Sequence, residues 1–435
     1  MVSIQEKQDC SGCSACAQRC PKHCITMTED NEGFLYPVIN KDNCIDCGLC
    51  EKVCHELHPY NEREPLKVLA AINKDERVRL ASSSGGIFYL LAEKTISEGG
   101  VVFGARFDEN WQVLIDYAET MEGVKPFMGS KYVQARTATS YKNAERFLKQ
   151  GRKVLFSGSP CQIAGLHHYL RKQYNNLTTA DFVCHGVPSP KVWKLYLDEI
   201  VSAVSNVKDV NFRNKDNGWK KFNFSLSYNE GNKTISISSF HGTNHYMRAF
   251  LNNMILRPSC YECKAKKGCS HSDITIADFG KINREIPEMD DDKGTGLVLV
   301  NTDKGQAALN WNKVKIMESS FDVAKRYNDG LSEFTKPHPK RESFFAHLHE
   351  AESVIDLINK YLRPTLKKQI RIKLRKCIQT ISTMFCSIGG GKEKQTVLVQ
   401  NVPSLIQKVS VVSVCFRNKD NGWKTYKMEI QLDLN

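Results

Sequence analysis

Nine cysteines fall within the first 54 residues, eight of them in two runs of one spacing. Cys10, Cys13, Cys16 and Cys20-Pro21 spell C-x2-C-x2-C-x3-C-P, and Cys44, Cys47, Cys50 and Cys54 repeat the cysteine spacing. Short spacings let neighbouring backbone wrap one cubane cluster, and the fourth Cys of each run ligates the other run's cluster. The pattern predicts one [4Fe–4S] cluster on Cys10, Cys13, Cys16 and Cys54, and a second on Cys44, Cys47, Cys50 and Cys20. A disulfide framework or a pair of zinc sites would also use cysteine, but two consecutive iron–sulfur runs argue against both. Such clusters carry electrons, so the rest of the chain is expected to receive or supply them. Cys24 falls outside the pattern and reads as a small incidental thiol.

Further along, cysteines sit where strands give way to loops. Val154-Leu155-Phe156 runs into Ser157-Gly158-Ser159-Pro160-Cys161, and Asp181-Phe182-Val183 into Cys184-His185-Gly186. Strand–loop–helix junctions are where α/β folds place ligands. Cys260 and Cys263 form a C-x2-C pair with Cys269 close behind. Alone the pair is half a zinc site; with Cys161 and Cys184 it supplies four thiols for a third [4Fe–4S] cluster. Ser82-Ser83-Ser84-Gly85-Gly86 opens an apolar helical pattern through Ile87, Leu90, Leu91 and Ile96. Free N–H groups there suit a phosphate, and a plain helix start fits equally well.

The elements that must hold these residues follow in order. A hairpin is expected from residues 25–28 and 34–39 around a turn at 30–33. Residues 55–66, polar with two prolines, read as a linker. A strand at 68–72, helices at 87–96 and 141–150, and a strand at 154–156 come next. The following helix is placed after Ile163. Ser189 then caps a helix that opens on Pro190. Strands at 210–212, 222–228 and 234–240, a helix at 246–256, strands at 272–278 and 297–301 and a helical stretch at 343–361 complete the ordered part. The class is α+β or α/β: a ferredoxin-like two-cluster module followed by a mixed α/β domain.

Composition sets the bounds. The chain has 435 residues, 41% hydrophobic and 25% charged, enough for two or three domains of a globular protein. Without an apolar run of spanning length or a secretory h-region, a soluble cytoplasmic protein is expected. Seventeen cysteines then mean metal ligation in a reducing compartment. The net charge of +13 fits a solvated basic surface, an acidic electron carrier or an anionic cofactor; no nucleic-acid motif is present.

These motifs together resemble the family of beta subunits of coenzyme F420 (deazaflavin) hydrogenases and dehydrogenases. The likeness is carried by Ser84-Gly85-Gly86, Gly129-Ser130-Lys131-Tyr132, the 157–162 run and Cys184-His185-Gly186-Val187-Pro188-Ser189-Pro190. It continues through the 212–219 run, residues 257–263 and residues 272–280, and covers roughly 1–340. The resemblance implies an FAD domain with a [4Fe–4S] cluster beside the flavin, held by Cys161, Cys184, Cys260 and Cys263. It implies flavin phosphates near Ser84, Gly85, Gly86, Ser130 and Lys131. One departure is Asp278-Phe279-Gly280, where the family pattern has Asp-Phe-Trp-Gly. The implied activity is an iron–sulfur flavin-dependent oxidoreductase passing electrons from the clusters through FAD to a small deazaflavin or biosynthetic substrate. The alternative is a non-catalytic electron-transfer subunit, with a link to polysaccharide biosynthesis in some relatives. Either takes a redox partner protein or ferredoxin. His185 and Asp278 read equally as flavin-tuning or as packing residues, and no catalytic residue is assigned.

The expected domains are a ferredoxin domain over 1–60, the two parts of the beta-subunit domain over 66–205 and 206–340, a basic helical segment over 341–388 and a tail over 389–435. In that segment Leu366, Ile370, Leu374 and Ile378 share a helical face ringed by Lys and Arg. It reads as a helix packed on its own domain or as a peripheral contact with an anionic membrane. Residues 416–424 read FRNKDNGWK, identical to 212–220, which marks a partial internal duplication without the accompanying cysteines.

Overall fold

The computed structural model describes residues 2, 4–201 and 206–363 in full, and the backbone of residues 412–418 and 422–428. Met1–Arg363 forms one compact unit and Pro364–Asn435 a second. The amphipathic helix expected over 366–378 lies outside the described residues.

The chain opens with a ferredoxin-like module. Strands β1 (Ile25–Glu29) and β2 (Leu35–Ile39) pair antiparallel, with Ile25 opposite Ile39 and Glu29 opposite Leu35. The turn closes because Asp30 Oδ1 accepts the N–H groups of Glu32 and Phe34, at 3.0 and 2.9 Å. Short helices Ala15–Arg19 and Leu49–Lys52 carry the middle of each cysteine run.

The body is an eight-stranded mixed sheet. In chain order its strands are β3 (Lys67–Asn73), β4 (Val101–Phe107), β5 (Val113–Ala118), β6 (Val154–Ser157) and β7 (Leu177–Phe182). After three strands of another sheet come β11 (Ile274–Asp278), β12 (Gly296–Val300) and β13 (Val314–Ser319), and the spatial order is β13-β3-β12-β11-β7-β6-β4-β5. β4, β6, β7 and β11 are parallel neighbours. β12 runs antiparallel between β11 and β3, so β3 points the same way as β11. Central strands are apolar without alternation because both faces are covered. Leu69 and Ala71 pack with Leu90 and Leu91 of the helix Ile87–Ser97, while Val68, Ala70 and Ile72 pack with Ile282 and Ile286 on the other face. The loops after β3, β6, β7 and β11 therefore share one sheet edge, the carboxyl edge where α/β sheets bind ligands.

A three-stranded antiparallel sheet, β8 (Asn206–Asn214), β9 (Asn223–Glu230) and β10 (Lys233–Phe240), has the order β10-β9-β8. Phe212, Phe224 and Leu226 on it pack with Trp193, Tyr196 and Tyr246.

Three sequence expectations are corrected. Residues 55–66 are no free linker, since His55 and Glu56 are buried and Tyr60 stacks between His168 and His271, at centroid distances of 4.5 and 4.3 Å. The helix at Cys161 starts at Pro160, because Gln162 Oε1 accepts the Ser159 N–H at 2.9 Å in a capping box. The helix His245–Leu251 is shorter than expected, stopped by Asn253 in the left-handed region at φ 60°. No described helix is long and apolar enough to cross a membrane.

Candidate iron–sulfur and cofactor sites

Twelve of the chain's thiols gather in three groups of four. Cys10, Cys13, Cys16 and Cys54 line a hollow of about 340 Å³, open solvent at its mouth included. Cys20, Cys44, Cys47 and Cys50 line another of about 370 Å³, together with Cys24. In each hollow the fourth cysteine comes from the other run. Left-handed residues bend the backbone round the thiols: Gly12 at φ 73°, Gly48 at φ 67° and Asp46 at φ 47°. Amide N–H groups point at sulfur, Gly12 to Cys10 Sγ at 3.4 Å and Val2 to Cys50 Sγ at 3.2 Å. Such bonds stabilise thiolate and tune a cluster's potential. Among the described residues no three His, Cys, Asp or Glu side chains close on a single metal ion. Four corner thiolates of a cubane stand farther apart than four ligands of one zinc, which sit at about 2.3 Å from the metal. The donor sets and hollows fit a multi-atom cluster.

The third group forms at the sheet edge. Cys161 lies in the first turn of the helix Pro160–Leu170, Cys184 just beyond β7, and Cys260 and Cys263 on and after the 3-10 turn Pro258–Glu262. Burial raises the Cys161 thiol well above its ordinary pKa, and the Cys263, Cys184 and Cys260 thiolates add to the rise. Cys263 is pushed to about 12, by burial first and then by Cys260. The Val187 N–H donates to Cys260 Sγ at 3.3 Å, and the Ser159 hydroxyl lies 3.2 Å from Cys161 Sγ. Cys269 feels Glu62 and Lys267 rather than this group.

The first and third groups are neighbours. A Cβ at Gly165, inside the helix that carries Cys161, would stand 3.0 Å from Cys13 Sγ and 2.9 Å from Tyr141 Oη. Tyr141 is fully buried, donates to the Gln162 carbonyl at 2.7 Å, and feels both Cys13 and Cys161. The first and second groups also touch electrostatically, through Cys16 and Cys50. The three groups thus stand in series, with Cys47 of the second exposed. Polar bonds seat the module on the sheet domain: Thr137 Oγ1 to the Cys13 carbonyl (2.9 Å), Gln134 Nε2 to the Ser11 carbonyl (3.0 Å), and the Tyr141 N–H to Gln18 Oε1 (3.0 Å).

The phosphate-site residues come together in part. Gly85 presses on β3 and β12, where a Cβ would lie 2.3 Å from the Ala71 carbonyl oxygen. The Ser130 N–H and hydroxyl both donate to Ser83 Oγ, at 2.7 and 2.9 Å, so Ser83 is the contact rather than Ser84. Ser84 Oγ turns to the Thr295 carbonyl at 3.0 Å. Lys131 Nζ folds back on the carbonyls of Pro126, Met128 and Gly129. The cations beside Ser83 and Ser84 are others. Arg213 donates to the Ser83 carbonyl (3.2 Å), Tyr132 Oη (3.1 Å) and Asp278 Oδ2 (2.8 Å), and its Nε is buried without a partner. Lys215 Nζ donates to the carbonyls of Arg79, Ser84 and Lys293. Both cations lie in the 212–219 run that carries the resemblance, but the sequence alone assigns a role to neither. Only the fold brings β8 to this edge. His185 bonds Asn253 through Nε2 at 2.6 Å.

Parts of the chain are similar to known proteins. Residues 151–320 match the family model for the C-terminal part of the coenzyme F420 hydrogenase/dehydrogenase beta subunit, and residues 9–56 match a 4Fe-4S dicluster domain. The F subunit of the F(420)H(2) dehydrogenase of Methanosarcina mazei is 24% identical over 171 residues, 37% of this chain and 49% of that protein. The chain thus spans about half the length of the curated relative it matches. A chain of the F420-reducing [NiFe] hydrogenase complex from Methanosarcina barkeri is similar with a TM-score of 0.43 and 16% identity, over 67% of this chain and 95% of that one. The two family-model matches fall on stretches whose motifs carry the resemblance.

Proposed function

We propose that this chain is an iron–sulfur flavoprotein oxidoreductase. Electrons enter at the cluster on Cys44, Cys47, Cys50 and Cys20, pass to the one on Cys10, Cys13, Cys16 and Cys54, and reach a third on Cys161, Cys184, Cys260 and Cys263. The observation that carries this reading is the series of three four-thiol groups, one with an exposed member and one at the carboxyl edge of the sheet. FAD is the proposed acceptor beside the third cluster, since a flavin exchanges single electrons with clusters and hydride with a small substrate. The Ser82–Gly86 loop, Ser130, Arg213 and Lys215 are the proposed phosphate cradle. Arg213's unpartnered Nε supports that role. Asp278 holds Arg213 in place, and Tyr132 braces its other end. Lys131 serves this cradle by fixing its own loop. The substrate is a small molecule of deazaflavin type, the coenzyme named for the matching family model and the curated relative, and the donor is a ferredoxin or another redox protein.

A second reading is favoured by the name of the curated relative, a subunit of a dehydrogenase: a chain that only relays electrons within a complex. Anaerobic purification with iron, sulfide and flavin analysis separates the two. About twelve iron atoms, from three four-iron clusters, and one FAD per chain are expected. Clusters without flavin leave the relay, and a preparation with about eight iron atoms and no flavin removes the third cluster as well.

A further inference from the structure

Arg257 is a fully buried guanidinium with only neutral acceptors. It is 0% exposed. Nε donates to the Cys10 carbonyl at 2.8 Å, Nη2 to the Leu35 carbonyl at 2.9 Å and Nη1 to Gln134 Oε1 at 3.2 Å. The guanidinium carbon lies 4.3 Å from the Tyr36 ring centroid and 5.4 Å from that of Phe34. Of the acidic side chains in this region, Glu32 pairs with Arg341, and Glu56 lies within the electrostatic reach of Arg257 without an ion pair to it. Among the described residues no carboxylate pairs with Arg257. A buried charge without a paired counter-charge is costly, and an anionic group beside it would offset that cost.

Its position says what. Through its side chain Arg257 holds Cys10; through its own carbonyl it accepts the Cys260 N–H at 3.0 Å. It is thus tied to one ligand segment of the first-run cluster and one of the third. Gly12 makes the approach possible, because a Cβ there would lie 2.9 Å from Nη1.

We propose that Arg257 is the shared counter-charge of these two clusters, a positioning cation that favours the reduced state of each. The proposal rests on the ligand assignment above. A four-thiolate cubane is net anionic and gains one more negative charge on reduction. A fixed cation beside it therefore raises its reduction potential. Losing that cation should lower the potentials of the first-run and third clusters and spare the cluster on Cys44, Cys47, Cys50 and Cys20.

The test is a potentiometric titration followed by electron paramagnetic resonance on Arg257→Gln, Arg257→Lys and Gln134→Glu, each with its iron counted first. In R257Q the reduced-to-oxidised ratio at a fixed potential should fall about ten-fold for two of three clusters, about 59 mV for a one-electron couple. R257K, which keeps the charge and loses the fork, should stay near the wild-type potentials. Q134E neutralises Arg257 in place and should lower the same two potentials if R257Q does not fold. Full iron with unmoved potentials in both R257Q and Q134E overturns the proposal. Wild-type protein with iron for only two clusters instead overturns the ligand assignment.

Discussion

Gly165 shows how one residue records a contact that the chain makes elsewhere. A glycine inside a helix costs about 1 kcal/mol relative to alanine, so Gly165→Ala would ordinarily stabilise. Here the added methyl meets Cys13 Cβ at 2.9 Å, Cys13 Sγ at 3.0 Å and Tyr141 Oη at 2.9 Å. Neither neighbour yields easily, since Cys13 sits in a tight loop and Tyr141 is pinned by its hydrogen bond to the Gln162 carbonyl. Overpacking of about 1–3 kcal/mol should outweigh the helical gain. G165A is expected to lower the denaturation midpoint, and a raised midpoint would mean the module does not press on this helix. His167, two residues further on, makes a pH prediction. Burial holds its imidazole down at about 4, with Lys304, His271 and His168 adding to the effect and Asp273 opposing it. The unfolded value is about 6.5, so the fold prefers the neutral ring. That stability is complete above pH 6.5 and is lost as pH falls from 6.5 through 4. Thermal melts across this window should show a shallower decline in His167→Gln than in the wild type.

At the scale of elements, the duplicated segment separates local preference from tertiary context. In the first copy Asn214 pairs with Asn223, and the residues between them bulge out as a loop. In the second copy the backbone of β14 (Val412–Asn418) and β15 (Gly422–Met428) closes a tight hairpin, with Asn418 opposite Gly422 and Phe416 opposite Lys424. Identical residues thus take two pairings. The first copy is held open from outside: Asp292 accepts the Lys220 N–H on Oδ1 (2.9 Å) and the Trp219 N–H on its carbonyl (2.8 Å), and Lys220 pairs with Asp290. Asp292→Ala should cost about 1 kcal/mol, the value of one such hydrogen bond, and shift Trp219 fluorescence towards that of a wetter indole. Unchanged stability and emission would mean that other contacts hold the loop. The same contrast explains what the sequence revealed. Helix starts were legible where a cap announced them, as at Ser189-Pro190, and so were strands with long apolar runs such as β3. The strands β5 and β13 at the two edges of the large sheet went unread, because Val113–Ala118 and Val314–Ser319 mix polar and apolar residues. Residues 55–66 were misread because Tyr60 and Arg63 find their partners at His168, His271 and the Ser272 carbonyl, all over 100 positions away. The cysteines were visible through their spacing, whereas Arg213, Lys215 and Arg257 lie in stretches that carry the resemblance but have no spacing of their own that marks a role.

At the scale of the whole molecule, the question is whether the three thiol groups act as one conductor. The crossed fourth ligand gives a way to cut it at a chosen point. Cys54 closes the hollow of Cys10, Cys13 and Cys16, although it is the last cysteine of the second run in sequence. Cys54→Ala should therefore remove about four iron atoms, one cluster's worth, and the lost signal should belong to the first run. The Cys44, Cys47, Cys50 and Cys20 hollow keeps all its thiols, so its cluster should remain reducible by an external donor. The sheet-edge group also keeps its four thiols, since none of Cys161, Cys184, Cys260 and Cys263 lies in the module. With both ends loaded and the middle missing, a donor protein should still reduce the outer cluster while the inner one stays oxidised. A small reductant that reaches the sheet edge directly should reduce it as before. If the donor still reduces the inner cluster at the wild-type rate in C54A, electrons do not travel through the module, and the exposed face around Cys47 is not their entrance.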